Sequence, residues 1–188
     1  MLHCPADGIS LARDDFGRPV SARPPASAGW PPDARLFLAV GDDADRPLLA
    51  LARDLPVALS VHTVPRGPLG ELLLPFTPLE RASLRQLPAA DRARQLTRLW
   101  ARKEAVLRLA GRGGLAVADE IDALSGAPDG DGTVLLPPSL AAAGGACGPV
   151  VYVRDLPAGP DRVACVATSA PARGVRLWDA DSPAGAAR

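Results

Sequence analysis

Residues 100–115 read WARKEAVLRLAGRGGL and close a helical pattern that starts soon after Pro88. Since Pro88 cannot continue a helix and Gly111 readily adopts the left-handed conformation of a cap, the sequence predicts a helix from Ala89 to Ala110. At about 100° per residue, one stripe of this helix is apolar except for one lysine. The stripe holds Leu96, Leu99, Lys103, Leu107 and Ala110. Lys103, the one lysine of the chain, is therefore expected to point toward the core.

The edge of that stripe carries a second group of residues. Trp100, Glu104 and Arg108 follow one another at i, i+4 and i+8. Glu104 has two interpretations, of which the first is an ion-pair partner of Arg108 on a solvated helix. The second is a carboxylate, close to Trp100 and Lys103, that binds a metal or accepts a proton. The opposite side of the helix is expected to face solvent, and it holds Arg94, Arg98, Ala101, Arg102 and Ala105.

Short strands are predicted on both sides of the helix, from apolar runs bounded by turn residues. Before the helix lie residues 35–40, 48–53 and 57–64, of which the last two are expected to form an antiparallel pair. After the helix, residues 150–154 and 162–168 are expected to form a hairpin around the turn DLPAGPD. Small antiparallel sheets are therefore expected beside the helix.

A second helix is predicted just before the long one. Thr77 offers an N-cap hydroxyl and Glu80 the carboxylate of a capping box, with a proline between them, so a helix is expected to run from here to about Leu87. With strands and two helices, the chain is expected to form one α+β domain over residues 1–178. Residues 179–188 are expected to form a disordered tail.

Composition limits the class of protein. The chain has 188 residues with 21 basic and 21 acidic side chains, so it lacks the basic excess that is typical of nucleic-acid-binding proteins. No apolar stretch reaches the roughly 18 residues that span a bilayer, and no signal-peptide pattern opens the chain, so a cytoplasmic protein without membrane attachment is expected. Cys4, Cys147 and Cys165 are odd in number and widely spaced, which predicts free thiols.

The stretch at residues 100–115 also resembles the most recognisable motif of the 4′-phosphopantetheinyl transferase family. The longer, monomeric class of that family, which activates surfactin synthetase, is similar across Trp-x-x-Lys-Glu-Ala-x-x-Lys-x-x-Gly. The matching residues are Trp100, Lys103, Glu104, Ala105, Arg108 and Gly111. Residues 16–19 (FGRP) resemble the family's Gly-Lys/Arg-Pro element, and residues 150–168 resemble its closing hairpin. The resemblance implies a pseudo-twofold α+β fold, with small antiparallel sheets packed on a long helix and a shortened N-terminal half.

Such enzymes move the phosphopantetheine arm of coenzyme A onto a serine of an acyl or peptidyl carrier protein. Mg²⁺ and cationic side chains stabilise the charge that builds on the phosphates. The resemblance implies that Glu104 is a metal ligand and a candidate base for the serine hydroxyl. It also implies that Lys103 and Arg108 contact phosphates and act in catalysis with Glu104. Arg18 and Pro19 are implied to help hold coenzyme A, and the protein is implied to be a monomer.

One segment departs from the family pattern. Family members carry Gly-Val-Asp-Val-Glu, or a similar sequence, on the strand before the helices, and both acids bind Mg²⁺. Here residues 56–62 read PVALSVH, which places Ser60 and His62 at the two acidic positions and on one face of the strand. A hydroxyl and an imidazole are poor ligands for Mg²⁺, so metal binding is expected to be weakened or lost.

These replacements leave two functional hypotheses. One is transfer of the arm, and the other is a catalytically impaired relative that binds a carrier protein or a coenzyme A-like ligand without transfer. The sequence therefore leaves enzymatic activity open. His62 also fits the role of a hydrogen-bonded structural residue. A shifted alignment would use Asp42, Asp43 and Asp45 as the acids, although a solvated turn between strands accounts for these residues better.

Overall fold

The computed structural model of the protein describes eight stretches of the chain. They are residues 10–13, 19–21, 34–43, 47–69, 71–111, 117–124, 131–141 and 147–177. Cys4, Arg18, Asp45 and the expected tail at residues 179–188 lie outside them. In the described stretches the chain forms two four-stranded antiparallel sheets and one long helix, so the predicted α+β class is confirmed.

The first sheet comes from the N-terminal part of the chain. Its neighbouring strands, in order, are β1 (Leu11–Arg13), β2 (Pro19–Ser21), β3 (Leu36–Gly41) and β4 (Leu48–Arg53). Phe37 and Ala39 are buried on the inner face of this sheet, whereas Leu49 and Leu51 are exposed on its outer face. The inner face packs against the second sheet.

The second sheet carries the predicted hairpin. Its neighbouring strands, in order, are β5 (Val57–Thr63), β8 (Arg162–Thr168), β7 (Val150–Leu156) and β6 (Asp131–Leu135). β7 and β8 pair antiparallel, which confirms the hairpin. β6 was not predicted from the sequence, because its sequence DGTVL begins with two residues that favour turns.

The expected pairing of residues 48–53 with residues 57–64 is wrong. β4 pairs with β3, and β5 pairs with β8 over its whole length. The residue between the two strands explains the difference. Asp54 adopts a left-handed φ of 54°, and it exchanges two hydrogen bonds of 2.7 Å with Arg35. The chain therefore turns away from β4 at this point and enters the other sheet.

Two helices follow β5. α1 spans Pro78–Gln86 and begins with the predicted capping box, in which Thr77 and Glu80 each accept a hydrogen bond from the backbone N–H of the other. α2 spans Ala89–Leu109, and Gly111 has the expected positive φ, at 70°. Shorter helical pieces are α3 (Pro138–Ala141) and 3₁₀ turns at Glu71–Leu73 and Ala118–Glu120. Every helix in the described part of the chain is too short or too polar to cross a membrane.

The side of α2 that was predicted to face solvent is mostly buried. Of its five residues, Arg94 is exposed, but Ala101 and Ala105 are completely buried. The prediction is wrong for the other four residues because strands of the second sheet pack on this side of the helix. Helical periodicity identifies an apolar stripe, but it does not show what covers the remaining surface.

Arg98 and Arg102 are buried on this side because they share an acidic partner. Asp155 of β7 accepts hydrogen bonds from Nε of Arg98 and from Nε and Nη2 of Arg102, the latter two at 2.9 Å. Arg102 also donates from Nη1 to the carbonyl oxygen of Ala123 at 3.2 Å. The cluster therefore ties α2 to the second sheet through charged side chains.

Candidate functional site

The candidate site lies where α2 crosses β5. Ser60 and His62 of β5 both reach Oε2 of Glu104 on α2, since the Ser60 hydroxyl donates at 2.5 Å and His62 Nε2 lies at 2.6 Å. Arg108 Nη2 donates to the other carboxylate oxygen, Oε1, at 3.0 Å. Four residues that the sequence singled out therefore meet at one point.

Strand and helix geometry account for this meeting. Residues two apart on a strand lie on the same face, so Ser60 and His62 point to one side of β5. Residues four apart on a helix are neighbours, which places Arg108 beside Glu104. β8 pairs with β5 along its length, so the two strand residues project from a backbone that is hydrogen-bonded throughout.

The Glu104 carboxylate is held in its ionised form. Burial raises its pKa, but hydrogen bonds from His62 and Ser60 and the charge of Arg108 outweigh this effect and lower the pKa to about 2. The side chain is 22% exposed. Glu104 is therefore a partly buried anion that is surrounded by donors.

His62 lies between Glu104 and Trp100. Its ring centroid is 6.1 Å from that of the indole, with 49° between the two ring planes. The His62 side chain is 29% exposed. The imidazole is thus fixed by a carboxylate at Nε2 and flanked by an aromatic ring, while part of it reaches solvent.

Arg108 joins the two sheets at the edge of the site. Its Nη1 donates to the carbonyl oxygens of Leu59 at 2.9 Å and Val40 at 3.3 Å. A shallow depression of about 130 Å³ lies beside the guanidinium and is lined by Pro19 and by residues of β3 and β5. Pro19 and Arg108, two of the expected coenzyme A contacts, therefore border one depression. Arg18 is outside the described residues.

The segment that contains α1 and α2 matches a known family. A model of the 4′-phosphopantetheinyl transferase superfamily matches residues 63–133. Residues 63–133 are therefore assigned to this superfamily. The match includes Glu104 and Arg108 and begins directly after His62, and it supports phosphopantetheine transfer as the general activity. A search of curated proteins found no match to the chain.

Lys103 points into the core, as its stripe predicted, and is completely buried. Its Nζ forms an ion pair with Glu80 and lies 2.6 Å from Oε2. Further acceptors are the carbonyl oxygens of Pro75 at 3.0 Å, Ala118 at 2.7 Å and Ile121 at 2.6 Å. Burial lowers the pKa of Lys103, and the hydrogen bond and charge of Glu80 oppose this effect. Protein oxygens therefore surround the ammonium. The expected contact between Lys103 and a phosphate stays a prediction.

Two acidic residues that support this fold were not predicted from the sequence as ion-pair partners. Glu80 was recognised as a capping residue but not as the partner of Lys103, and Asp155 was assigned to a turn. A lysine in an apolar stripe indicates a buried acidic partner, because a buried charge is costly unless it is paired. The sequence does not say which acid it is, because the partners lie on different elements.

The acidic turn before β4 lies away from the site. Thr63 Oγ1 donates to Asp43 Oδ2 at 2.6 Å. Since Thr63 follows His62 on the strand, its side chain points to the face of β5 opposite Glu104. Asp43 therefore fits the interpretation as part of a turn between strands, and Asp42 next to it is exposed.

Proposed function

We propose that the chain transfers the phosphopantetheine arm of coenzyme A to a serine of an acyl or peptidyl carrier protein. The observation that carries this proposal is the cluster in which Glu104 meets Ser60, His62 and Arg108 at a partly exposed point. The sequence motif that begins at Trp100 supports the longer, monomeric class of transferases. A cytoplasmic monomer is the form that we expect.

Arg108 is the proposed ligand of the pyrophosphate. A guanidinium has five N–H donors, and three of them bond to Val40, Leu59 and Glu104. The other two have no acceptor among the residues that the structure describes, and the side chain is 41% exposed. Phosphate oxygens accept such paired donors well. The depression beside Pro19 borders this guanidinium.

Lys103 is proposed to support this site from inside the core. Its ammonium is enclosed by Glu80 and three carbonyl oxygens, so it fixes the position of α2. Because Glu104 is the next residue on the helix, the same contacts hold the carboxylate against Ser60 and His62. We therefore propose a positioning role for Lys103 rather than direct contact with a phosphate.

The residues of the cluster fit Mg²⁺ poorly. This ion prefers oxygen ligands in a near-octahedral arrangement, usually carboxylates, waters and phosphates. The cluster offers one carboxylate, and both oxygens of Glu104 already accept hydrogen bonds from protein donors. In the described part of the chain, no three histidine, cysteine or acidic side chains group together as metal ligands. We therefore assign no step to Mg²⁺. Arg108 is proposed to neutralise the negative charge of the phosphates.

The same full set of partners around Glu104 favours a second candidate function. A carboxylate with three donors and a low pKa stabilises a fixed arrangement, which suits binding of a coenzyme A-like ligand or a carrier protein without transfer. In that case the depression and Arg108 would bind a ligand that the chain does not convert. The two candidates differ in whether a covalent product forms.

The test is intact-mass spectrometry of an apo acyl carrier protein and an apo peptidyl carrier protein after incubation with the chain and coenzyme A. A gain of one phosphopantetheine arm is expected with the wild-type chain, and a strong loss of that gain with Glu104→Gln. Glu120→Gln, which changes an exposed carboxylate, is the matched control. Binding of coenzyme A with no mass gain on either carrier would instead establish the second candidate.

A further inference from the structure

The environment of Glu104 makes it a poor proton acceptor. Its Oε2 already accepts from Ser60 and His62, and its Oε1 accepts from Arg108. An ionised carboxylate offers about four lone-pair sites, so three are occupied. These contacts lower the pKa of Glu104 to about 2, so the carboxylate has little affinity for another proton. A different group must take the proton of an attacking hydroxyl.

The contact between His62 and Glu104 fixes the tautomer of the imidazole. The carboxylate has no hydrogen to donate, so the hydrogen in the 2.6 Å contact belongs to Nε2 of His62. In the neutral ring, the second nitrogen then carries a lone pair and no hydrogen. Nδ1 is therefore the atom of this cluster that can accept a proton.

Nδ1 has no hydrogen-bond partner among the residues that the structure describes. Among the residues that the structure describes, the hydrogen bond between His62 and Glu104 uses Nε2, and the imidazole lies beside the ring of Trp100. The side chain is 29% exposed. Glu104 stands between His62 and Arg108, so a phosphate on Arg108 and a hydroxyl at His62 would lie on two sides of one carboxylate. This order suits a nucleophile that approaches a bound phosphate.

We propose that His62 is the catalytic base and that Glu104 is its positioning residue, an inference that rests on the proposed transfer. The serine Oγ of the carrier protein attacks the phosphorus that bears the pantetheine, and the serine proton passes to His62 Nδ1. The bond from that phosphorus to the bridging oxygen of the pyrophosphate breaks, and the oxygen leaves with the electron pair on the adenosine bisphosphate product. The imidazolium, stabilised by Glu104, then releases its proton to water.

The first test compares two variants of His62 in the carrier-protein assay. His62→Gln keeps an N–H donor for Glu104 but has no basic nitrogen, and His62→Ala removes the ring. Both are expected to lower the transfer rate at least about 100-fold. Coenzyme A binding and the melting temperature of His62→Gln are expected to stay at wild-type values. Thr63→Ala, next on the strand and on its opposite face, is the matched control and is expected to keep the wild-type rate.

Chemical rescue separates a base from a structural side chain. Added imidazole is expected to raise the rate of His62→Ala by several-fold, whereas thiazole, a ring of the same size and much lower basicity, is not. Equal rescue by both rings would show that the space is merely filled and would overturn the proposal. Wild-type rates in His62→Gln would overturn it as well, and the transferase function would survive. Transfer by no form of the chain, wild type included, would overturn both.

Nitrogen NMR of the histidine rings tests the premise without any substrate. The chain has two histidines, so loss of one set of signals in His62→Gln assigns the spectrum. The expected pattern for His62 is a hydrogen on Nε2 and a bare Nδ1. A hydrogen on Nδ1 in the neutral ring would contradict the proposal, because the lone pair would then face Glu104.

Discussion

Glu80 and Lys103 form a completely buried ion pair, with 2.6 Å between Oε2 and Nζ. The same Glu80 carboxylate accepts from the N–H of Thr77 at 2.8 Å and from the N–H of Ala123 at 2.9 Å. One side chain thus holds together the start of α1, the middle of α2 and residues 117–124. The pair supports the site because Glu104 directly follows Lys103 on the helix.

Removal of the lysine charge is expected to destabilise the fold. Lys103→Met leaves Glu80 as a buried charge without its cation, which should lower the free energy of unfolding by about 3–5 kcal/mol. Urea unfolding followed by circular dichroism measures the change. The double variant Glu80→Gln/Lys103→Met is expected to be more stable than Lys103→Met alone. Arg85→Ala, an exposed change on α1, is the control, and a loss as large there would refute the assignment.

The arginine cluster on the other side of α2 gives a second prediction. Asp155→Ala removes the carboxylate that Arg98 and Arg102 share, and it should lower the free energy of unfolding by about 3 kcal/mol or more. Asp161→Asn is the control, because Asp161 is 68% exposed and lies 3.6 Å from Arg66. That change is expected to stay within about 0.5 kcal/mol of wild type. Similar losses in both variants would contradict the cluster's role.

Stability is expected to depend on pH through Glu104. Its pKa in the folded chain, about 2, lies below the ordinary value of 4.5, so its ionised form stabilises the native state above pH 4.5. This contribution, on the order of 2 kcal/mol, is lost as the pH falls from 4.5 toward 2. Urea unfolding of wild type and Glu104→Gln from pH 6 to pH 2 should show a shallower dependence in the variant. Parallel curves would mean that the carboxylate is not stabilised as described.

Replacement of Ser60 and His62 by acidic residues is expected to strengthen the binding of Mg²⁺. Calorimetry of the wild-type chain with Mg²⁺ is expected to show little binding, since Glu104 is the one carboxylate of the cluster. Ser60→Asp/His62→Glu places two more carboxylates beside it and is expected to bind Mg²⁺ at least about tenfold more tightly. Thr63→Asp adds an acid on the opposite face of β5 and should not bind the ion. Tight binding of Mg²⁺ by the wild-type chain would contradict the conclusion that these residues fit the ion poorly.

The buried thiols give a prediction that needs no ligand. Burial raises the pKa of Cys165, and Cys147 is also buried. A thiolate is the reactive form, so alkylation of Cys165 in the native chain is expected to be slow and limited by opening of the structure. Peptide mass spectrometry after iodoacetamide treatment, with and without urea, measures it. Rapid labelling without urea would show that β8 opens readily.

Local patterns accounted for much of this fold and site. The capping box at Thr77 and Glu80, the cap at Gly111 and the hairpin of β7 and β8 follow from contacts between near neighbours or from strong turn signals. The contact of Ser60 and His62 with Glu104 could also be predicted from the sequence. Strand alternation puts the first two on one face, and the family motif supplies the third.

Apart from β6, the failures concern which elements meet. β4 and β5 are adjacent in sequence, yet Asp54 sends them into different sheets, and its tie to Arg35 has no local signal. Arg98 and Arg102 appeared as solvent-facing residues because the acid that holds them lies on another strand. Such pairings depend on tertiary packing, which periodicity within one helix does not contain.

Lys103 has one more consequence, which concerns proteolysis. It is the one lysine of the chain, and a lysine-specific protease reaches its side chain only when the buried contact between α1 and α2 opens. Each cut then records one opening of that contact, and it yields a single pair of fragments. The chain thus contains its own reporter of local unfolding, placed one residue from the carboxylate at the centre of the candidate site.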